Sequence, residues 1–177
     1  MDGKAIFTLG AAEIDDGAYG NGKSSQAGEE DLKFVYSYTL NLNSSFTGDD
    51  NLYVRIKTGN HDNTIFDNKE FGTYLVSAKD NTDVLKVDKI WYQFPVGDSN
   101  TFWVGPKIEN YYMHGTTPSI YKPVTKQFTL GGNGEAYGAS TDTGAGWAYK
   151  ADNGFAISSN VGTKSTTSTE GVNTGLL

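Results

Sequence analysis

Few side chains in this sequence have the type and spacing that covalent chemistry requires. The two histidines, His61 and His114, lie in separate polar stretches. A hydrolytic triad or a zinc site would have to draw on them. Neither has a suitably spaced partner, no G-x-S-x-G occurs, and both read as solvated loop histidines. Carboxylates are paired at Asp15-Asp16, Glu29-Glu30 and Asp49-Asp50. Such pairs serve glycosidases and calcium sites. Asp49-Asp50, however, follows Thr47-Gly48, a turn setting in which Asp is favoured for local hydrogen bonding. The other pairs flank a loop, and the EF-hand spacing is absent. Gly131-Gly132-Asn133-Gly134 lacks the Lys-Ser/Thr of a phosphate loop. There is no Cys, which removes disulfides and thiolate metal sites. The expectation is a protein that is not an enzyme, with no cofactor and no metal.

A second group of residues has electrostatic rather than covalent potential. Arg55, Lys57, Lys107 and Glu109, with Trp103, alternate with apolar residues and share the polar face of their strands. Fixed charges of this kind bias which ions pass a pore. An indole on the same face stacks on a sugar or fills space.

The elements that carry these residues are strands. From Leu32 to Leu42 every even position is apolar or aromatic: Leu32, Phe34, Tyr36, Tyr38, Leu40 and Leu42. The odd positions are Lys33, Val35, Ser37, Thr39 and Asn41. This is strand periodicity, and its length matches the ~9–11 tilted residues that cross a bilayer. After the Thr47–Asp50 turn, Leu52, Val54 and Ile56 alternate with Tyr53, Arg55 and Lys57. A strand around Val87–Phe94 begins irregularly, because Lys86 and Asp88 fall in phase with Ile90; this signals a later start or a bulge. Beyond the Pro95–Asn100 turn, Phe102, Val104, Pro106 and Ile108 form one side, and Trp103, Gly105, Lys107 and Glu109 the other. A hairpin with an Asp152-Asn153-Gly154 turn joins Ala145, Trp147 and Tyr149 to Phe155 and Ile157. About seven strands are clear, and an eighth falls near Leu130 or from Gly175.

Long polar connections alternate with short turns along the whole chain. Outer-membrane barrels have this feature, with short periplasmic turns and long extracellular loops. The mean hydropathy of −0.47 is compatible, since barrel strands show only alternate residues to lipid. The net charge of −7 opposes a nucleic-acid partner.

The segment FTGDDNLYVRIKTGN, Phe46 to Asn60, resembles a hairpin of the cyanobacterial outer-membrane porins, within the carbohydrate-selective and iron uptake porin group. VDKIWYQFPVGD, Val87 to Asp98, with Val104-Gly105-Pro106, is similar to their next hairpin. Pro118-Ser119-Ile120-Tyr121 and Gly144-Ala145-Gly146 continue the resemblance in order. It implies an all-β, antiparallel transmembrane β-barrel of the porin type in the cell outer membrane. Residues 1–177 would be one barrel domain, an incomplete N-terminal part. The start at Met1-Asp2-Gly3 lacks an export signal, which fits a fragment. The implied function is passive diffusion of small hydrophilic solutes or ions, such as inorganic ions including iron, or sugars. Its implied partners are outer-membrane lipid and, in the full-length protein, further copies of itself, as in the trimers many porins form. Arg55, Lys57, Trp103, Lys107 and Glu109 would line the pore. The alternative from the residues alone is a secreted β-sandwich that binds carbohydrate.

Overall fold

In the Leu32–Leu42 segment Leu32 and Phe34 are exposed, and Tyr36, Tyr38, Leu40 and Leu42 on the same face are half-buried. Phe34 is 67% exposed, whereas its polar-phase neighbours Val35 and Ser37 are buried. The same inversion recurs in strand after strand of the computed structural model. It describes residues 1–11, 32–62, 64–67, 73–79, 81–114, 124–125 and 142–163, and the backbone of 172–176.

Eight strands form a single antiparallel sheet in chain order: β1 (Asp2–Gly10), β2 (Lys33–Ser44), β3 (Asn51–Gly59), β4 (Lys86–Val96), β5 (Asn100–Lys107), β6 (Thr143–Lys150), β7 (Ala156–Thr163) and β8 (Val172–Leu176). β1 and β8 are its two edges, and the sheet is not closed into a barrel. No α-helix occurs among the described residues; two 3₁₀ turns, Ile65–Asp67 and Asn110–Met113, lie in the long connections. The expected strand near Leu130 and the Pro118–Tyr121 motif lie outside the described residues.

Register carries the alternation across the sheet. Ala5, Phe7 and Leu9 pair with Tyr38, Tyr36 and Phe34. Leu40 and Leu42 pair with Ile56 and Val54, and Val54 in turn with Ile90. Leu52 meets Tyr92, Tyr92 meets Val104, Val104 meets Ala145, and Ala145 meets Val161. One face is therefore apolar over seven strands. The other collects Ser37, Thr39, Asn41, Tyr53, Arg55, Lys57, Gln93, Ser158 and Asn160.

Two long connections fold back over this polar face. Ile65 and Phe66 cluster with Val35 and Leu75. Ile108 and Met113 cluster with Trp91, Trp103 and Ala148. Gly146 makes the second seat possible: a Cβ there would lie 2.7 Å from Met113 Cβ. Shielding of the polar face thus comes from within the chain, while none of the connections placed among the described residues covers the apolar face.

The short turns fix the register. In the β2–β3 turn the Asp50 carboxylate accepts hydrogen bonds from Ser45 Oγ (2.5 Å), the backbone N–H groups of Phe46 and Thr47 (3.0 and 2.8 Å) and Thr47 Oγ1 (2.8 Å). Tyr92 O–H donates to its other oxygen at 2.5 Å, which ties the turn to β4. Gly48 and Gly154 sit at φ of 101° and 88°, which only glycine takes without strain.

The Ser45 and Tyr92 hydrogen bonds hold the Asp50 carboxyl well below the usual carboxylate range. Its stabilising effect is complete above the ordinary Asp value of about 4 and is lost as pH falls below it. Asp50→Asn should lower the urea midpoint at neutral pH and lose less on acidification than wild type. Equal midpoints at neutral pH would refute this role.

Candidate functional site

The charged residues of the polar face converge where β3, β4 and the segment after β5 meet. Arg55 lies in the middle of β3. Its Nε contacts Asp88 Oδ2 at 2.5 Å, its Nη2 contacts Glu109 Oε1 at 3.4 Å, and its Nη1 donates to Tyr112 O–H oxygen at 3.1 Å. Lys57 Nζ lies 2.9 Å from the same Asp88 oxygen, and Lys89 Nζ lies 3.4 Å from Glu109 Oε1. Tyr111 O–H donates to the other Glu109 oxygen. Burial, and then the Glu109 charge, push the Tyr111 phenol far up, so it remains a donor.

Aromatic rings wall this cluster. Tyr53 stacks on Trp91 with ring centroids 3.9 Å apart, and Tyr112 lies 4.7 Å from Trp91. Tyr53 O–H donates to Asn41 Oδ1 at 2.7 Å, which closes the wall towards β2. Trp103 is buried in the adjoining cluster, where it fills space and donates from Nε1 to Gln93 Oε1 at 3.0 Å.

Two bulges produce the arrangement. Arg55 pairs with Lys89 but Ile56 with Val87, so β4 carries one extra residue opposite β3. The bulge turns both Asp88 and Lys89 to the polar face and keeps Val87 and Ile90 on the apolar one. This resolves the irregular start of the strand: it begins at Lys86 and bulges at Asp88. A second irregularity separates Ile90–Lys107 from Tyr92–Val104. It lies at Gly105-Pro106, and proline is tolerated at bulges because it has no ladder donor.

The structure therefore brings Arg55, Lys57 and Glu109 together and places Trp103 beside them, but it separates Lys107. The second bulge shifts the phase of β5 by one residue, which corrects two expectations. Lys107 emerges exposed on the apolar side, where its Nζ donates to the Val87 carbonyl at 3.2 Å. Ile108 turns inward and is 1% exposed. Lys89 and Asp88 were missed in the sequence; the run Asp88-Lys89 inside an otherwise alternating strand was their signal. The histidines are a further correction. His61 is fully buried and His114 is 7% exposed, because the connections that carry them fold onto the polar face.

The site pairs three cations, Arg55, Lys57 and Lys89, with two anions, Asp88 and Glu109, and so carries one net positive charge. Such an arrangement presents fixed charge beside stacked rings. Comparison with family models, with curated proteins and with solved structures finds no match to this chain.

Removing Arg55 would leave Asp88 and Glu109 short of their shared partner. With an Arg55 side chain 12% exposed, Arg55→Ala should cost towards the lower end of the ~3–5 kcal/mol typical of a broken buried pair. Urea unfolding of the refolded protein measures it. A loss under about 1 kcal/mol, the scale of a surface pair, would show that the network is not structural.

Proposed function

We propose that this chain forms part of the wall of an outer-membrane β-barrel pore of the porin type, which passes small hydrophilic solutes or ions by diffusion. One observation carries the reading: the burial pattern is inverted relative to a water-soluble sheet. Phe7, Leu9 and Phe34 are 69%, 65% and 67% exposed on a face that is apolar across seven strands. Soluble monomers rarely expose an apolar patch beyond roughly 300–600 Å². A lipid-facing barrel wall requires one. The opposite face holds the ion cluster, as the water-facing side of a pore does.

Three further features support it. The short turns, 45–50, 97–99 and 151–155, lie at one end of the strands and the long connections at the other. Near the turns the outward aromatics are Tyr92, Phe94, Phe102 and Trp147, and the two with polar handles aim them at the rim: Tyr92 at Asp50, and Trp147 Nε1 at Asn100 Oδ1, 2.9 Å away. Amphipathic rings collect at membrane interfaces for this reason. Lys107, on the apolar side, is the last residue of β5, where a long side chain can reach headgroups. In this reading β1 and β8 pair with further strands, since an open edge is not tolerated in lipid. The secreted sandwich is less well supported, because all eight strands belong to one sheet and no second sheet lies on the apolar face among the described residues.

The three tryptophans provide the test. Trp147 faces the apolar side, whereas Trp91 and Trp103 are buried on the polar side. In vesicles of brominated lipid, only Trp147 fluorescence should be quenched, so Trp147→Phe should abolish the quenching. Quenching that survives in Trp147→Phe, or none in wild type, would sink the pore-wall reading.

Selectivity should follow the cluster. With one net positive charge it favours anions in spite of the chain's −7, because screening over ~8–10 Å limits the reach of loop carboxylates. Lys57→Glu reverses the sign of the cluster. It should move the reversal potential of the full-length pore in a salt gradient towards cations. An unchanged potential would mean that Lys57 does not face the conduction path.

A further inference from the structure

Each connection that folds back over the polar face carries one of the two histidines at a buried position. The second connection is the more telling, because it covers the ion cluster. Its Asn110–Met113 turn packs against β6 and β7, and Met113 fills the hollow over Gly146. Tyr112 lies on Trp91 and on Arg55. His114 follows directly.

The surroundings of His114 suit only a neutral ring. Its Nδ1 lies 3.4 Å from Asn160 Nδ2, so with the amide nitrogen facing it Nδ1 acts as acceptor. Nε2 is enclosed and has no hydrogen-bond partner among the described residues. The facing positions on β6 are Gly144, Gly146 and Ala148, and on β7 Ser158, Asn160 and Gly162; none of them titrates. On its own segment the ionisable groups are Glu109, Tyr111 and Tyr112. Glu109 is engaged by Arg55, Lys89 and Tyr111. A proton on Nδ1 would therefore force the Asn160 amide to turn its oxygen inward and would bury a cation with no counter-charge among the described residues.

We propose that His114 is an acid-sensitive latch: neutral, it keeps segment 108–114 seated on the polar face, and on protonation the segment lifts and widens the passage beside Arg55. The inference rests on the pore reading for its consequence and on the geometry of His114 for its cause. Burial lowers the proton affinity of the ring in the seated segment. Seating is therefore fully favoured above the ordinary histidine value of about 6.5 and weakens as pH falls below it.

Two measurements test the latch in the full-length protein. In planar bilayers, unitary conductance should rise between about pH 7.5 and pH 5, the span over which a histidine changes charge. His114→Gln should stay at the low level at both values, and His114→Lys should already be high at the upper one. In detergent, acrylamide quenching of tryptophan should increase on acidification as Tyr112 leaves Trp91, and should not do so in His114→Gln. Constant wild-type conductance, or a rise equally large in His114→Gln, overturns the latch. Acid-dependent quenching that His114→Gln abolishes, in a protein that never forms channels, upholds the release of the segment and sinks the pore reading. Channels whose conductance and quenching are both independent of pH sink the latch and leave the pore reading standing, and a protein with neither channels nor acid-dependent quenching sinks the two together.

Discussion

Arg55 ties three parts of the chain that are far apart in sequence. From β3 it reaches Asp88 on β4 and Glu109 beyond β5, 33 and 54 residues away. The contacts with both carboxylates hold only if β4 bulges at Asp88 and if the chain beyond β5 turns inward at Ile108. A guanidinium offers several donors in a fixed fork, and so it can hold two carboxylates and a phenol in one plane of approach. The seating of Tyr112 on Trp91, and of Met113 over Gly146, follows from the position into which Glu109 is drawn.

The same network accounts for the inverted sheet. Charges cannot be left without partners on a partly covered face, because desolvation costs more than a single contact returns. Here each cation of the site meets a carboxylate, and the inward-folded connections supply one of the two. The charges of the site on the polar face are thus paired from inside the chain, at the expense of two connections that turn inward. The apolar face has no such internal solution. Its aromatics touch one another along and across the strands, as in Tyr92 on Phe94 and Phe94 on Phe102, with centroids 5.5 and 5.7 Å apart, and no inward-folded connection among the described residues lies over them. On the pore-wall reading proposed above, lipid would cover this face.

Much of the fold was legible because strand periodicity is a local property. The alternation of Leu32 to Leu42, and the Thr47–Asp50 and Asp152–Gly154 turns, follow from side-chain direction and turn chemistry within a few residues. The irregular start of β4 was legible as well, since Lys86 and Asp88 fall in phase with Ile90, but it left a later start and a bulge open, and only the pairing of Ile56 with Val87 decides for the bulge. The bulge in β5 was not. Trp103 to Glu109 can be read in one unbroken phase, and only the pairing of Lys107 with Ile90 reveals the slip. A one-residue change in register moves every later side chain to the other face, so Lys107 and Ile108 exchanged roles. The histidines were misread for a different reason. A polar connection in sequence is expected at the surface, and no local signal shows that it folds inward on Ile65, Phe66 and Met113.

The sequence by itself determined the all-β class, the order of hairpins, the face on which Arg55, Lys57 and Trp103 lie, and the apolar stripe opposite them. These depend on neighbours at two-residue spacing, which the chain carries within itself. The tertiary structure alone decided which face would be covered, which carboxylates would meet Arg55, and that Lys89 and both histidines would be buried. Those outcomes depend on contacts between segments tens of residues apart, whose register is set by bulges and whose reach is set by how far the connections fold back. Period and propensity hold no record of either.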